Sequence, residues 1–375
     1  MAKVVIAASL PTSLRNFRGP LLLAFREIGC DVHAVAPGLI GDAETRDWLT
    51  ERGVVCRDVP LARTALNPLS DLRTLIGLIS LLRRLKPQIF LGYTAKPVIW
   101  GLWAARVAGV PQRVALITGL GYAFTGESTA LRSMVRFILR CLYASALRCA
   151  TLIFFQNSDD ADEFVRLGLV KPGKRVCVIN GSGVDLAAFS RASFPHAPLR
   201  FLLIARLLGD KGIREYVQAA VIIRQRWPEI EFHLVGGTDP NPDGIPQAEV
   251  EKWHNHGYVV WHGYQPDVRP FLASCHVYVL PSYREGMPRT VLEAMAMGRP
   301  IITTNAPGCR ETVVHGENGF LVPVKSVDAL VAAMERFILE PELIPHMGER
   351  SRQIAEEKYD VRKVNALILK EMGLK

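Results

Sequence analysis

Two glutamates near the C-terminal end of the chain stand where their chemistry matters. In "LPSYREGMPRTVLEAMAMGRPIITTNAPG" (280–308), Glu285 falls in a turn and Glu293 on the helix that follows. Proline is favoured at the first helical position, so the helix is predicted to open at Pro288. Glu293 then lies about five residues in, roughly 7–8 Å along the axis. Helical side chains lean toward the N-terminus, which lets Glu293 reach back to the amides there. Two acids bracketing an anion-attracting helix start suit a ligand with a phosphate in the middle and hydroxyls at both ends. The plain alternative is a surface acid contributing about 0.3–1 kcal/mol through the helix dipole.

Placing such acids requires a scaffold, and the chain is long enough for two cores, with 375 residues of which 49% are hydrophobic. The first half alternates strands and helices: "KVVIAA" (3–8), "FRGPLLLAFREIG" (17–29), "DVHAVAP" (31–37), "DAETRDWLTERG" (42–53), "VVCRDVPL" (54–61), a helix from about Asp71 to Lys86, and "QIFLGY" (88–93). This order predicts an α/β fold with a parallel, doubly wound sheet. After the polar "SRASFPHAP" (190–198) the alternation restarts with "LRFLLIARLLGDKG", "EFHLVGG", "VVWHGY", "HVYVLPS" and "PIITT". The expected organisation is a first domain over 1–185, a linker over 186–198, a second domain over 199–358, and a final helix in 359–375 crossing back onto the first domain.

Composition narrows the class. Seven scattered cysteines without a C-x-x-C pair argue against a disulfide framework or a cysteine-rich zinc site. The start, "MAKVVIAASLP", reads as a first strand rather than a signal peptide. No apolar run reaches the roughly 18 residues a membrane helix needs, so a cytoplasmic location is expected. Residues 1–190 hold 23 Lys+Arg against 14 Asp+Glu, whereas residues 191–375 hold 22 against 22. The entire excess of +9 lies in the first half, which is expected to face something anionic: nucleic acid, a membrane surface or a diphosphate.

The Glu285–Glu293 spacing, E-x7-E within "SYREGMPRTVLEAMAMGRPII", resembles the signature of retaining, nucleotide-sugar-dependent glycosyltransferases of the two-domain GT-B fold, similar to glycosyltransferase family 4. The likeness extends to "LLIARLLGDKGIREYVQAA" (202–220), to "VINGSGVDLAAF" (178–189) and to "PGCRETVVHGENGFLVP" (307–323). It implies two Rossmann-like domains facing across a cleft. It also implies that Glu293 binds ribose hydroxyls and that Glu285, with the backbone of Gly286 and Met287, holds the transferred sugar. The amides at the helix start, from Arg289 to Val291 and Leu292, are expected to face the diphosphate; Pro288 has no N–H to offer. Arg206 and Lys211 match the class's diphosphate-binding positions. Independently, two cations at a strand's C-terminal edge are where a doubly wound sheet binds its ligand, and they can offset the charge of a UDP leaving group. Burial of Arg206 without an anion would be costly. Glycoside hydrolysis also uses paired carboxylates, but it does not need those cations.

The first domain is expected to hold the acceptor. Ser13, Arg15, Asn16 and Arg18 lie in "SLPTSLRNFRGPLL" (9–22), a loop without the glycine pair of many relatives, and Lys96 in "GYTAKPVIWG" (92–101) follows another strand. Thr118 and Gly119 stand where many relatives carry a histidine. These stretches, with "RTALNPLSDLRTL" (63–75), resemble bacterial transferases that extend a sugar on a polyprenyl diphosphate. The resemblance implies a UDP-sugar donor, an N-acetylhexosamine with N-acetylgalactosamine favoured, and no metal or other cofactor. In "STALRSMVRFILRCLYASALR" (128–148), Arg132, Arg136 and Arg140 recur every four residues beside Leu131, Met134, Val135, Ile138, Leu139 and Leu142. That pattern suits an amphipathic helix lying on an anionic leaflet, hence peripheral association with the cytoplasmic face of the membrane, or a core-packed helix with solvated arginines.

Other motifs carry less. Asp160 and Asp162 in "NSDDADEF" open a helix and read as caps rather than metal ligands. "TDPNPDG" (238–244) lacks the spacing of a calcium loop. His254, His256 and His262 have no ligand support nearby. "ITGLGYAFTG" (117–126) lacks the third glycine of a dinucleotide fingerprint, which weakens a nicotinamide reading. A nucleic-acid-binding protein would leave Glu285, Glu293 and Lys211 unexplained; a UDP-sugar epimerase of the same fold would need no lipid acceptor.

Overall fold

The computed structural model describes residues 1–61, 68–119, 130–196, 198–241 and 243–374. The chain divides into two units, Met1–Ser182 with Arg362–Lys375, and Gly183–Val361. Among the described residues the first unit carries seven parallel strands: β1 (Lys3–Ala7), β2 (Asp31–Ala36), β3 (Val55–Asp58), β4 (Ile89–Tyr93), β5 (Gln112–Ile117), β6 (Leu152–Phe155) and β7 (Val176–Val178), in spatial order 3-2-1-4-5-6-7. The second carries β8 (Arg200–Ile204), β9 (Glu231–Val235), β10 (Val260–Trp261), β11 (Val277–Leu280), β12 (Ile301–Thr304) and β13 (Gly319–Val322), in order 10-9-8-11-12-13.

Strands covered on both faces need apolar side chains on both faces. In β1, Val5 and Ala7 join the core under the helices Pro68–Leu85, Ala95–Val107 and Ala130–Cys149. Val4 and Ile6 face the opposite core, formed with Leu21, Leu22 and Phe25. The C-terminal helix Val361–Glu371 adds Val364, Ile368 and Leu369 to that second core of the first unit. Each sheet reverses its winding direction once, between β1 and β4 and between β8 and β11, and ligands of such sheets bind beyond the strand ends at that point.

One expected boundary is corrected. The segment 186–198 is not a free linker but part of the second unit, because its apolar side chains find a core there. Leu186, Phe189 and Ala192 pack against the cluster that contains Leu292 and Tyr359. The fully buried Arg299 donates through Nη2 to the Ser193 carbonyl (3.0 Å) and lies over the Phe194 ring. The glycine-poor stretch 9–18 is helical over Pro11–Asn16, started by Pro11 at its first turn.

Candidate functional site

Beyond β8 the chain makes a short 3₁₀ turn, Gly209–Lys211, and then opens the helix Ile213–Arg226 through Gly212. Gly212 has φ of +69°, and a Cβ there would stand 2.1 Å from the Pro281 carbonyl oxygen. Only glycine brings the two strand ends this close. Across the gap, after β11, Lys211 Nζ donates to Glu285 Oε1 at 2.6 Å, and Ser282 Oγ meets the same oxygen at 2.8 Å. The side chains of Lys211 and Glu285 are 14% and 16% exposed. Burial alone would depress the Lys211 ammonium; the carboxylates of Glu285 and Asp210 outweigh it and hold the group above its ordinary value. Asp210 is pushed up by its own burial against the pull of Lys211.

Glu285 is also braced from behind. Its amide donates to the Pro307 carbonyl at 3.0 Å. Gly308, at φ of +78°, leaves no room for a side chain, since a Cβ would lie 2.2 Å from the Glu285 carbonyl oxygen. The following helix runs Arg289–Ala296 with Pro288 as its N-cap, one residue later than expected. Glu293 is its fifth residue and is 6% exposed, with Arg289 Nε donating to its Oε1 at 2.8 Å. Burial raises the Glu293 carboxyl above its usual range, with Arg289 opposing. Val291 and Leu292 do not face a ligand: their side chains are buried in the core, and both amides donate to the Pro288 carbonyl. Gly286 and Met287 are half-buried in the turn between the two glutamates.

Arg206 departs from expectation. It is exposed rather than buried, because it lies beyond the end of β8, and Asp239 answers its charge at 2.7 Å. Asp239 belongs to the loop 238–244, which also fixes the lysine turn: Asp243 Oδ2 accepts from the Asp210 amide at 2.9 Å. Asp243 and Ser282 carried no signal in the sequence beyond lying in loops next to named motifs.

The first unit's switch point is built differently. Ser9 Oγ and Thr94 Oγ1 are 2.7 Å apart, and Ser13 Oγ and Tyr93 Oη 2.8 Å. Thr94 holds φ of +65° and ψ of 162°, a conformation that is essentially glycine's alone. Lys96 Nζ pairs with Asp71 Oδ1 at 2.7 Å, both largely buried. Arg15 reaches Glu44 at 2.5 Å, and Asn16 is exposed beside it, accepting from Arg15 Nε. Arg18 is corrected from a ligand donor to a packed residue: it is 2% exposed, donates to Ser182 Oγ at 3.0 Å and lies over the Tyr93 ring. Thr118 and Gly119 follow β5; residues 120–126 of that stretch and 63–67 lie outside the described residues.

The arginine row on the helix Ala130–Cys149 is also corrected. Arg136 and Arg140 are half-buried, since residues 136, 140, 143 and 147 share one row and Tyr143 and Leu147 face the core. The outward row is Met134, Phe137 and Ile138. Arg132's side chain lies outside the described residues. Among the described residues no group of three or more His, Cys, Asp or Glu is placed to hold a metal ion, and no helix is long and apolar enough to cross a membrane. Asp160 is buried and caps its helix with Asn157, whose Oδ1 accepts from its amide at 2.7 Å. His262 is paired with His233, whose relation to it the sequence did not reveal; their ring nitrogens are 2.8 Å apart.

Residues 19–181 match the glycosyl transferase 4-like domain, and residues 198–340 match glycosyl transferases group 1. The chain is a glycosyltransferase. By class it is a hexosyltransferase, and its fold is GT-B. It is 28% identical to the N,N'-diacetylbacillosaminyl-diphospho-undecaprenol alpha-1,3-N-acetylgalactosaminyltransferase of Campylobacter jejuni, covering 92% of this chain and 91% of that one. It is also 28% identical to the Escherichia coli UDP-Gal:alpha-D-GlcNAc-diphosphoundecaprenol alpha-1,3-galactosyltransferase, over 75% of this chain and 72% of the relative. Among solved structures, sucrose-phosphate synthase from Thermosynechococcus elongatus superposes with a TM-score of 0.81 at 19% identity, covering 99% and 98% of the two chains. Anabaena HepE in complex with UDP and glucose gives 0.79 at 17% identity over the whole of both chains.

Proposed function

We propose that this glycosyltransferase moves an N-acetylhexosamine, with N-acetylgalactosamine favoured, from its UDP-activated form to a sugar carried on a polyprenyl diphosphate, with retention and without a metal, at the cytoplasmic face of a bacterial membrane. The observation that carries the reading is the buried Lys211–Glu285 pair at the second sheet's switch point, with Glu293 on the helix beside it. The two relatives named for undecaprenyl-diphosphate-linked acceptors support the acceptor class.

In this reading Glu293 accepts hydroxyls of the ribose, and Lys211 and Arg206 face the diphosphate, with Arg206 exchanging Asp239 for a phosphate oxygen. The acceptor hydroxyl forms a new bond to the anomeric carbon as the bond from that carbon to the β-phosphate oxygen breaks. Its proton passes to a departing phosphate oxygen on the same face. Lys211 offsets the charge gathering on UDP, where a fixed cation in a site with little water acts most strongly. Glu285, held by Lys211 and Ser282, positions the sugar hydroxyls.

The test is a transfer assay in EDTA with UDP-N-acetylgalactosamine, UDP-N-acetylglucosamine and UDP-galactose, using a synthetic polyprenyl-diphosphate-linked sugar. Proton coupling at the new anomeric centre reads the stereochemistry. An α-linked product formed without metal is expected. A β-linked product would overturn retention, and strict dependence on magnesium would overturn the metal-free diphosphate site.

A further inference from the structure

We propose that the N-terminal halves of the helices Pro68–Leu85 and Ala130–Cys149 form one docking surface for an anionic lipid leaflet, at the edge of the first sheet where its ligands bind. The proposal deepens the reading above, on which it rests for the lipid-borne acceptor. Both helices cover the same face of that sheet, with Ala95–Val107 between them.

On Pro68–Leu85, Leu69, Leu72 and Ile76 are 71%, 52% and 58% exposed. Their spacing of three and then four residues aligns them along one outward row. On Ala130–Cys149, Met134, Phe137 and Ile138 are 54%, 67% and 45% exposed, again on one face. Apolar side chains scattered singly over a surface need no explanation, whereas two such rows on helices of one layer do.

Their position along the helices matters as much as their exposure. Each helix leads into a strand of a parallel sheet and so runs opposite to the strands. Its first turns therefore lie at the strands' C-terminal ends, the edge that carries Ser9, Ser13 and Thr94. The Asp71–Lys96 pair ties the two places together: Asp71 is in the first turn of Pro68–Leu85, and Lys96 follows β4 at the switch point. A polyprenyl chain leaving an acceptor bound at that edge would meet the apolar rows directly.

The charge selects among occupants. The three helices of this layer carry nine Lys and Arg and a single acid, Asp71, which Lys96 neutralises. Farther along Pro68–Leu85 the outward row turns basic at Arg83 and Arg84, which with Ile76 and Ile79 line a groove of about 540 Å³ against Val107. Apolar anchors followed by arginines match acyl chains and anionic headgroups. A second copy of this chain would bring the same basic layer against itself, since a two-fold interface pairs identical surfaces.

Vesicle flotation tests the proposal, comparing phosphatidylglycerol–phosphatidylcholine vesicles with pure phosphatidylcholine. The wild-type protein is expected to float with the anionic vesicles and to be released by salt. Leu72→Glu/Ile76→Glu and, separately, Phe137→Glu should each weaken the partition by roughly tenfold or more, and Arg83→Glu/Arg84→Glu should remove the preference for anionic lipid. All five positions are exposed, and calorimetric UDP binding by each variant checks that the second unit is unaffected. Should the glutamate pair prove unstable, Leu72→Gln/Ile76→Gln serves instead. Flotation of the variants at the wild-type level, or no flotation of the wild type, overturns the proposal. So does a concentration-dependent dimer in sedimentation that the Leu72/Ile76 variant abolishes. Failure of UDP binding in the wild type would overturn the functional reading instead and would leave the flotation result standing by itself.

Discussion

At the ends of β8 and β11 a buried lysine and glutamate meet at 2.6 Å, whereas at the ends of β1 and β4 the corresponding place is lined by hydroxyls. The two sheets wind alike and reverse at equivalent strand pairs, so topology does not explain the difference. In the proposed reading, the chemistry asked of each place does. A leaving diphosphate gains charge as its bond to sugar breaks, and a cation held in place by a buried carboxylate answers that charge without reorganising. An acceptor sugar stays neutral throughout and is oriented by hydrogen bonds. Of the cations at the first switch point, Lys96 is already answered by Asp71, and Arg18 is packed over the Tyr93 ring.

Substitutions should therefore act very unequally at the two places. Lys211→Ala is expected to lower kcat by about 10²–10³, and to destabilise the protein by about 3–5 kcal/mol because Glu285 is left buried without its cation. A rate loss below tenfold would remove the second switch point from the chemistry. Glu293→Ala should weaken UDP binding by about 1–3 kcal/mol in calorimetry, with kcat at saturating donor changing far less. At the first switch point, Ser9→Ala should raise the acceptor KM only several-fold, about 0.5–1.5 kcal/mol, and leave UDP affinity untouched. The smallest net change is expected for Thr94→Gly, where the lost Ser9 contact offsets part of the gain. The substitution relieves a backbone strain of about 1–3 kcal/mol, and melting should show a net gain in stability accompanied by a weaker grip on the acceptor.

Acidification sharpens the same contrast. Burial raises the Glu293 carboxyl above 4.5, so UDP affinity should begin to fall on acidification at a pH higher than an ordinary glutamate would give. The stability slope has the opposite sign: ionising a buried carboxyl costs the folded state, so this contribution is present below 4.5 and is lost as pH rises through the raised folded value. Acceptor binding through serine and threonine hydroxyls has no proton to exchange in that range. Calorimetry with UDP between about pH 4 and 7, which spans the glutamate range, checks the donor half, and acceptor KM over the same span checks the other.

The donor half was the more legible in the sequence. Glu285, Glu293 and Lys211 sit at fixed distances from a strand end or a helix start, so local pattern alone brings them to one place. Asp243 and Gly308 act on the backbone of another loop, which no local pattern reports, and Ser282 acts through a hydroxyl whose direction the turn alone decides. Arg18 illustrates the opposite failure: a basic residue after a strand suggested a ligand contact, but its partners, Ser182 and Tyr93, are far away in the chain. The arginines of 130–149 were misplaced for a further reason. A four-residue repeat marks a helix face without saying which face is buried, and Tyr143 and Leu147 decide that only once the sheet is present. The boundary near 183–198 was obscured by its polar composition, although its few apolar residues are anchored on the second core.

The most direct test of a UDP-binding, metal-free second switch point is calorimetric titration of the wild-type protein and Glu293→Ala with UDP, UDP-N-acetylgalactosamine and NADH in EDTA. The expected result is binding of both UDP compounds by the wild type, a marked loss in Glu293→Ala, and no heat from NADH. Binding of NADH without UDP, or UDP affinity that Glu293→Ala leaves unchanged, would contradict it.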